Sequence, residues 1–132
     1  MPTPIPELAA AYLRQYRTGS DEDFWAVEEV QDRIRSARNP SDAWSVTLAL
    51  VEAADDEALG YVGAGPLEDF VVTHGAPHID WIEDAARRDP KFAACLASIW
   101  LSDDALPADI VARVVAASDG RIRPLPGSRH DA

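Results

Sequence analysis

Cysteine is almost missing from this chain. Cys95 is the only one in 132 residues, so no disulfide can close within it. It lies inside "KFAACLASIW", where a small hydrophobe at helical spacing accounts for it better than a reactive thiol does. Long apolar runs are missing as well. No stretch of about eighteen apolar residues occurs, and the opening "MPTPIPELAAAYL" has no basic region followed by an apolar run. The expectation is a soluble, cytoplasmic protein.

Positive charge is the third scarcity. Twelve Lys and Arg face 23 Asp and Glu, for a net charge of −11. From Asn39 to Ala86 there is no Lys or Arg at all, against Asp42, Glu52, Asp55, Asp56, Glu57, Glu68, Asp69, Asp80, Glu83 and Asp84. No ion pair can form within that span. The resulting field repels nucleic-acid phosphate and anionic lipid, and it attracts basic partners over a Debye length of ~10 Å.

Strand signals are equally sparse. At this length one ordinary core forms, burying roughly two thirds of the unfolded chain's surface. The apolar runs "DFVVTH" and "ARVVAA" are the nearest to strands, but both lie between helix signals with acids in the preceding turn. The pattern predicts an all-α domain of six to eight short helices over 1–119, built from antiparallel helical hairpins stacked in a bundle or short solenoid-like array. The remaining residues, 120–132, with two prolines, a glycine and scattered charges, read as a flexible C-terminal tail.

Helix punctuation recurs every ten to fifteen residues. A first helix is expected from about Pro6 to Thr18, with Leu8, Tyr12, Leu13 and Tyr16 inward and Gly19 closing it. Ser20 and Asp23 form a variant capping box ahead of the stripe Phe24, Val27, Val30 (or Gln31) and Ile34. Pro40 opens a helix with Trp44, Leu48 and Val51 inward. "DPKFAACLASIW" aligns Phe92, Cys95, Leu96, Ile99 and Trp100, and "LPADIVARVVAA" buries Ile110, Val111, Val114 and Val115 behind Pro107.

Between these lies "LGYVGAGPLEDFVVTHG", residues 59–75. Glycine costs about 1 kcal/mol against alanine in a helix interior, so Gly60, Gly63 and Gly65 argue against one continuous helix. The expectation is a helix from Asp55 to about Gly63, a tight corner at Gly65, and a second helix from Pro66 with Leu67, Phe70 and Val71 inward, ending at Gly75. Its order, G-x-x-G-x-G without a preceding strand, matches neither common phosphate fingerprint, and Glu68 and Asp69 would repel an anion there.

This stretch, continued through "IDWIEDAARRDPKFAACLASIWL", resembles an uncharacterised family of small bacterial helical domains that share an L-G-x-x-G-A-G-P-L-E-D-L-like motif. The matching positions are Leu59 to Phe70, His74 and Gly75, Ile79 to Glu83, Arg87 to Phe92, and Trp100 with Leu101. The resemblance covers about residues 55–115 and implies a shared fold rather than a shared activity.

The candidates for chemistry are thin. Glu68 and Asp69 diverge by about 100° on a helix and do not face each other. Asp80 with Glu83 or Asp84 shares a helix face, the usual place for solvated carboxylates. His74 and His78 have i, i+4 spacing, but Gly75 and Pro77 between them put the pair at the end of one helix and the start of the next, without the geometry of a metal site. No catalytic residue, metal or cofactor is expected. Trp44, Trp81 and Trp100 fall on apolar stripes, whereas Trp25, adjacent to Phe24, is the tryptophan expected at an interface.

The sequence therefore points to a non-catalytic, acidic protein-binding module, of the immunity or inhibitor type that neutralises a basic partner such as a toxin. Its partner-binding residues are Asp55, Asp56, Glu57, Glu68, Asp69, Asp80, Glu83, Asp84 and Trp25, with Gly60, Gly63, Gly65 and Pro66 as a structural corner. The alternative is a carboxylate-dependent enzyme, or an enzyme's accessory domain, working at Gly60 to Asp69.

Overall fold

Prolines and short polar side chains mark the helix starts, and the computed structural model, which describes residues 2–122 and 124–125, builds eight α-helices on them. These are α1 (Ile5–Thr18), α2 (Phe24–Arg35), α3 (Pro40–Ala53), α4 (Asp56–Val62), α5 (Glu68–His74), α6 (Ile79–Arg88), α7 (Pro90–Leu96) and α8 (Ala108–Ala117). No strand occurs among the described residues; Ser102 and Leu125 form a single isolated bridge. The domain is all-α, as its patterning predicts.

The ends of several elements follow from capping chemistry. Gly19 closes α1 at φ 67°, its N–H returning to the Gln15 carbonyl. The side chains of Asn39, Asp55 and Asp89 accept the N–H groups of Asp42, Ala58 and Lys91 at 3.0, 2.8 and 2.9 Å. The expected capping box at Ser20 takes another form. Ser20 Oγ accepts from the Glu22 N–H at 3.1 Å and opens a 3₁₀ turn over Asp21–Asp23, while the Asp23 carboxylate takes both prongs of the Arg14 guanidinium at 2.8 and 2.9 Å.

Helices α1, α2 and α3 pack on one another, α6 packs on α7 and α8, and the two groups meet where α5 lies on α2 and α3 and α7 lies on α3. Leu8, Ile34, Leu50, Phe70, Ile82 and Phe92 are completely buried in the shared core. Each such side chain contributes about 1.5–3 kcal/mol of transfer free energy.

Three residues expected inward are exposed: Phe24, Leu48 and Trp100. In α2 the buried positions are Ala26, Val30 and Ile34, and Phe24 precedes that row by two residues, on the opposite side. In α3 the buried row is Ala43, Val46, Thr47, Leu50 and Val51, which turns Leu48 to the rim. Trp100 leaves its stripe because α7 stops at Leu96. The N–H groups of Ser98 and Ile99 bond carbonyls three residues back, at 3.0 and 3.2 Å, and the tightened chain releases the indole to solvent.

The expected corner at Gly65 is a rod instead. Gly63–Leu67 forms a π-helical turn that joins α4 to α5, with the Glu68 N–H reaching the Gly63 carbonyl five residues back. Among glycines with described backbone, only Gly19 and Gly120 take positive φ, so Gly65 supplies no left-handed turn. Pro66 sits inside the helix rather than at its start, and the wider turn absorbs the N–H that proline lacks. Burial of Val62, Pro66, Leu67, Phe70 and Val71 outweighs the poor propensity of the glycines. Gly63 permits a close approach to α7: a Cβ there would collide with the Cys95 carbonyl oxygen and lie 2.8 Å from Ser98 Cβ.

Beyond Gly120, two of the described residues are docked. Ile122 is buried with its N–H on Ser118 Oγ at 3.1 Å, and Leu125 bonds through its backbone to Leu101 and Asp103 at 2.7 and 2.8 Å. Residues 123 and 126–132 of the expected tail lie outside the described residues.

Candidate interaction surface

Arginines from outside the cation-free span divide its ten acids into two sets. Arg33 holds Asp42 at 2.8 Å, Arg35 holds Asp69 at 3.3 Å, and Asp84 takes Arg87 and Arg88 at 2.8 and 3.2 Å. Arg113 of α8 bridges Asp80 and Glu83 of α6 at 3.1 and 2.6 Å. The Glu83 carboxyl is held below its ordinary range, first by the Arg113 hydrogen bonds. Among the described residues, no cation pairs with the second set: Glu52, Asp55, Asp56, Glu57 and Glu68.

Four of these unpaired acids lie within six residues at the junction of α3 and α4, all exposed. Lys91 of α7 reaches this edge but donates to the backbone carbonyl of Glu52, at 2.8 Å. Asp55 also has a structural task as the cap of α4.

Glu68 opens α5, about two thirds of the way along the α4–α5 rod, and its Oε1 accepts the backbone N–H of Trp100 at 2.7 Å. Burial pushes its carboxyl up; the Trp100 N–H works against that shift, and the charge of Asp69 adds to it. The bond pins the loop after α7 to the rod and presents Trp100, whose residue surface is 65% exposed. On the other flank Tyr61 lies against Tyr16 of α1, with ring centroids 4.4 Å apart. The recess beside Gly65, lined by Tyr12, Val30, Pro66 and Asp69 among others, measures only 30 Å³. Burial keeps the Tyr12 phenol protonated, far above its ordinary pKa.

A larger cleft of 590 Å³ opens between α3, α6 and α7, lined by Trp44, Leu48, Trp81 and Phe92 with Asp84, Arg87 and Arg88 at its rim. Trp44 packs on Phe70, Trp81 and Phe92 at 4.8, 6.0 and 5.6 Å, so these tryptophans are half core and half wall. Asp84 pairs with both arginines, and with Asp80 and Asp89 also in the lining the cleft's charges largely cancel.

The histidines fall as expected at the end of α5 and just before α6. His74 is buried and its Nε2 donates to the Ile34 carbonyl at 2.7 Å, which fixes the tautomer, since a carbonyl only accepts. His78 stacks on Trp81 at 4.0 Å.

Of the predicted site residues, Asp55, Asp56 and Glu57 stay together at the α4 end of the rod and Glu68 sits at the start of α5. Asp69, Asp80, Glu83 and Asp84 are compensated by arginines, and Trp25 stands exposed on the first turn of α2. Sequence reasoning missed Trp100, Tyr61 and Glu52. Trp100 lies at stripe spacing, and nothing in the local sequence announces that α7 ends early.

Compared with curated proteins and with solved structures, the chain matches none. Residues 14–122, most of its length, match one sequence family, and the chain therefore belongs to DUF6869, a family of unknown function.

Proposed function

We propose that the protein is a non-catalytic binding module that takes up a basic protein on the exposed carboxylates around the α3–α4 junction. The observation that carries this reading is the division of the acids. Arginines compensate Asp42, Asp69, Asp80, Glu83 and Asp84, while Glu52, Asp55, Asp56 and Glu57 crowd one exposed edge without ion-pair partners among the described residues. Such clustering raises the local potential and steers a cationic partner toward the edge. An immunity or inhibitor protein that neutralises a basic toxin in the bacterial cytoplasm fits this chemistry. The described residues contain no helix long and apolar enough to cross a membrane.

The alternative, carboxylate catalysis at Gly60 to Asp69, has less to work with. Glu68 is engaged by Trp100 and Asp69 by Arg35, and the adjoining recess holds about one water's volume. The test is capture of partners from the native host followed by binding across a salt titration. A basic partner whose affinity falls steeply with salt supports the proposal. A partner bound with no salt dependence, or one that is acidic, contradicts it.

A further inference from the structure

Exposed positions recur along the Asp56–His74 rod at helical spacing: Glu57, Tyr61, Ala64 and Val72, with the partly exposed Glu68 in register between the last two. The rod is about 28 Å long at ~1.5 Å per residue. Neighbouring elements flank this row on both sides. A Cβ at Gly63 would point at the Cys95–Ser98 segment, whereas one at Gly65 would point at the Tyr12 hydroxyl, 3.5 Å away. Ala64 lies between those two directions and is exposed. It therefore forms the floor of a shallow trough, with Tyr61, supported by Tyr16, on the α1 side and Trp100, tied down through Glu68, on the α7 side.

Resting on the basic-partner reading above, we propose that this trough receives a basic amphipathic helix of the partner, laid lengthwise along the rod. Trp100, Tyr61 and Val72 make the apolar contacts, while Asp56, Glu57 and Glu68 meet the helix's cations. Charge decides the occupant. A second copy of this chain would bring carboxylates against carboxylates along the same row, and a phosphate or anionic-lipid surface would be repelled. A cationic amphipathic helix meets the clustered acids at the α4 end and the exposed apolar Val72 toward the other. The small side chain of Ala64 lets two helix axes approach closely at mid-rod, and the rod's i, i+3, i+4 ridges suit helix-on-helix packing better than a strand. An exposed indole with a fixed backbone anchor has the character of an interface hot spot.

The test uses two synthetic 18-residue peptides of leucine and lysine with the same composition, one ordered at helical spacing and one scrambled, titrated against the full chain at low salt. The expected result is that the helical peptide binds about tenfold or more tightly than the scrambled one. Trp100→Ala and Ala64→Trp should each remove most of that preference, and Glu57→Lys should weaken both peptides through charge. Equal, salt-sensitive binding of the two peptides overturns the trough while leaving the acidic reading standing. Binding of neither overturns both. A loss on Trp25→Ala as large as that on Trp100→Ala moves the site to α2 and overturns the placement. So does self-association in sedimentation that Trp100→Ala abolishes, because the trough's occupant is then a second copy.

Discussion

The Glu68 carboxylate accepts the backbone N–H of Trp100 at 2.7 Å, and this one bond joins the start of α5 in the α4–α5 rod to a loop 32 residues further along the chain. A half-buried carboxylate is costly to ionise, and this one makes the cost part of how a tryptophan is displayed.

That cost gives a pH prediction. Burial, then the neighbouring charge of Asp69, outweigh the Trp100 N–H and raise the Glu68 carboxyl above its unfolded value. The folded state therefore holds this proton more tightly than the unfolded one, so the penalty is absent below the unfolded pKa and fully present above the folded one. Glu68→Gln keeps an acceptor for Trp100 and removes the penalty. In urea unfolding the variant should gain stability relative to the parent at pH 7, and the gain should vanish as pH falls below about 4. Destabilisation at pH 7 that disappears below about pH 4 would show instead that the negative charge itself supports the loop.

Gly63 and Gly65, two residues apart in the π-helical turn, should behave oppositely. Gly63→Ala drives a methyl into the Cys95 carbonyl and should cost about 1–3 kcal/mol. Gly65→Ala meets only an ordinary 3.5 Å contact with Tyr12 Oη and gains helix propensity, so it should be neutral or stabilise by up to about 1 kcal/mol. Denaturant midpoints of the two variants decide this, and equal effects would remove the close approach of the rod to α7.

Cys95 is buried, donates to the Leu59 carbonyl at 3.4 Å, and has its thiol pushed up to about 12 by burial despite the pull of Lys91. An aromatic disulfide reagent at pH 8 should therefore label the native protein only at the rate of opening, with full labelling in denaturant. Rapid stoichiometric labelling of the native state would contradict the packing of α7 on the rod.

Much of the fold is legible locally. Gly19, Asn39–Pro40, Asp55 and Asp89–Pro90 mark helix ends by their own chemistry, and the buried stripes of α1, α7 and α8 follow the 3.6-residue period. The rod was misread for a physical reason: three glycines and a proline argue for a break only where nothing else holds the helix, and here the burial of Val62, Leu67 and Phe70 does. The interaction surface was half legible. The missing cations between Asn39 and Ala86 are visible in the sequence, but which acids stay unpaired depends on Arg33, Arg35, Arg87, Arg88 and Arg113, the last of them 33 residues from Asp80. Trp100 turned outward because α7 ends four residues before it, a consequence of tertiary packing that periodicity alone does not contain.

The most direct test of the central claim is the association rate of the captured basic partner, measured by stopped flow against two charge-reversed proteins. One carries Glu52→Lys, Asp56→Lys and Glu57→Lys at the unpaired edge, and the other carries Asp80→Lys in the arginine-compensated set. The account predicts that the first lowers the on-rate about 10- to 100-fold at low salt and flattens its salt dependence, while the second changes it only modestly. An on-rate indifferent to salt and to the edge reversal would contradict the account and leave the negative charge as a solubility feature.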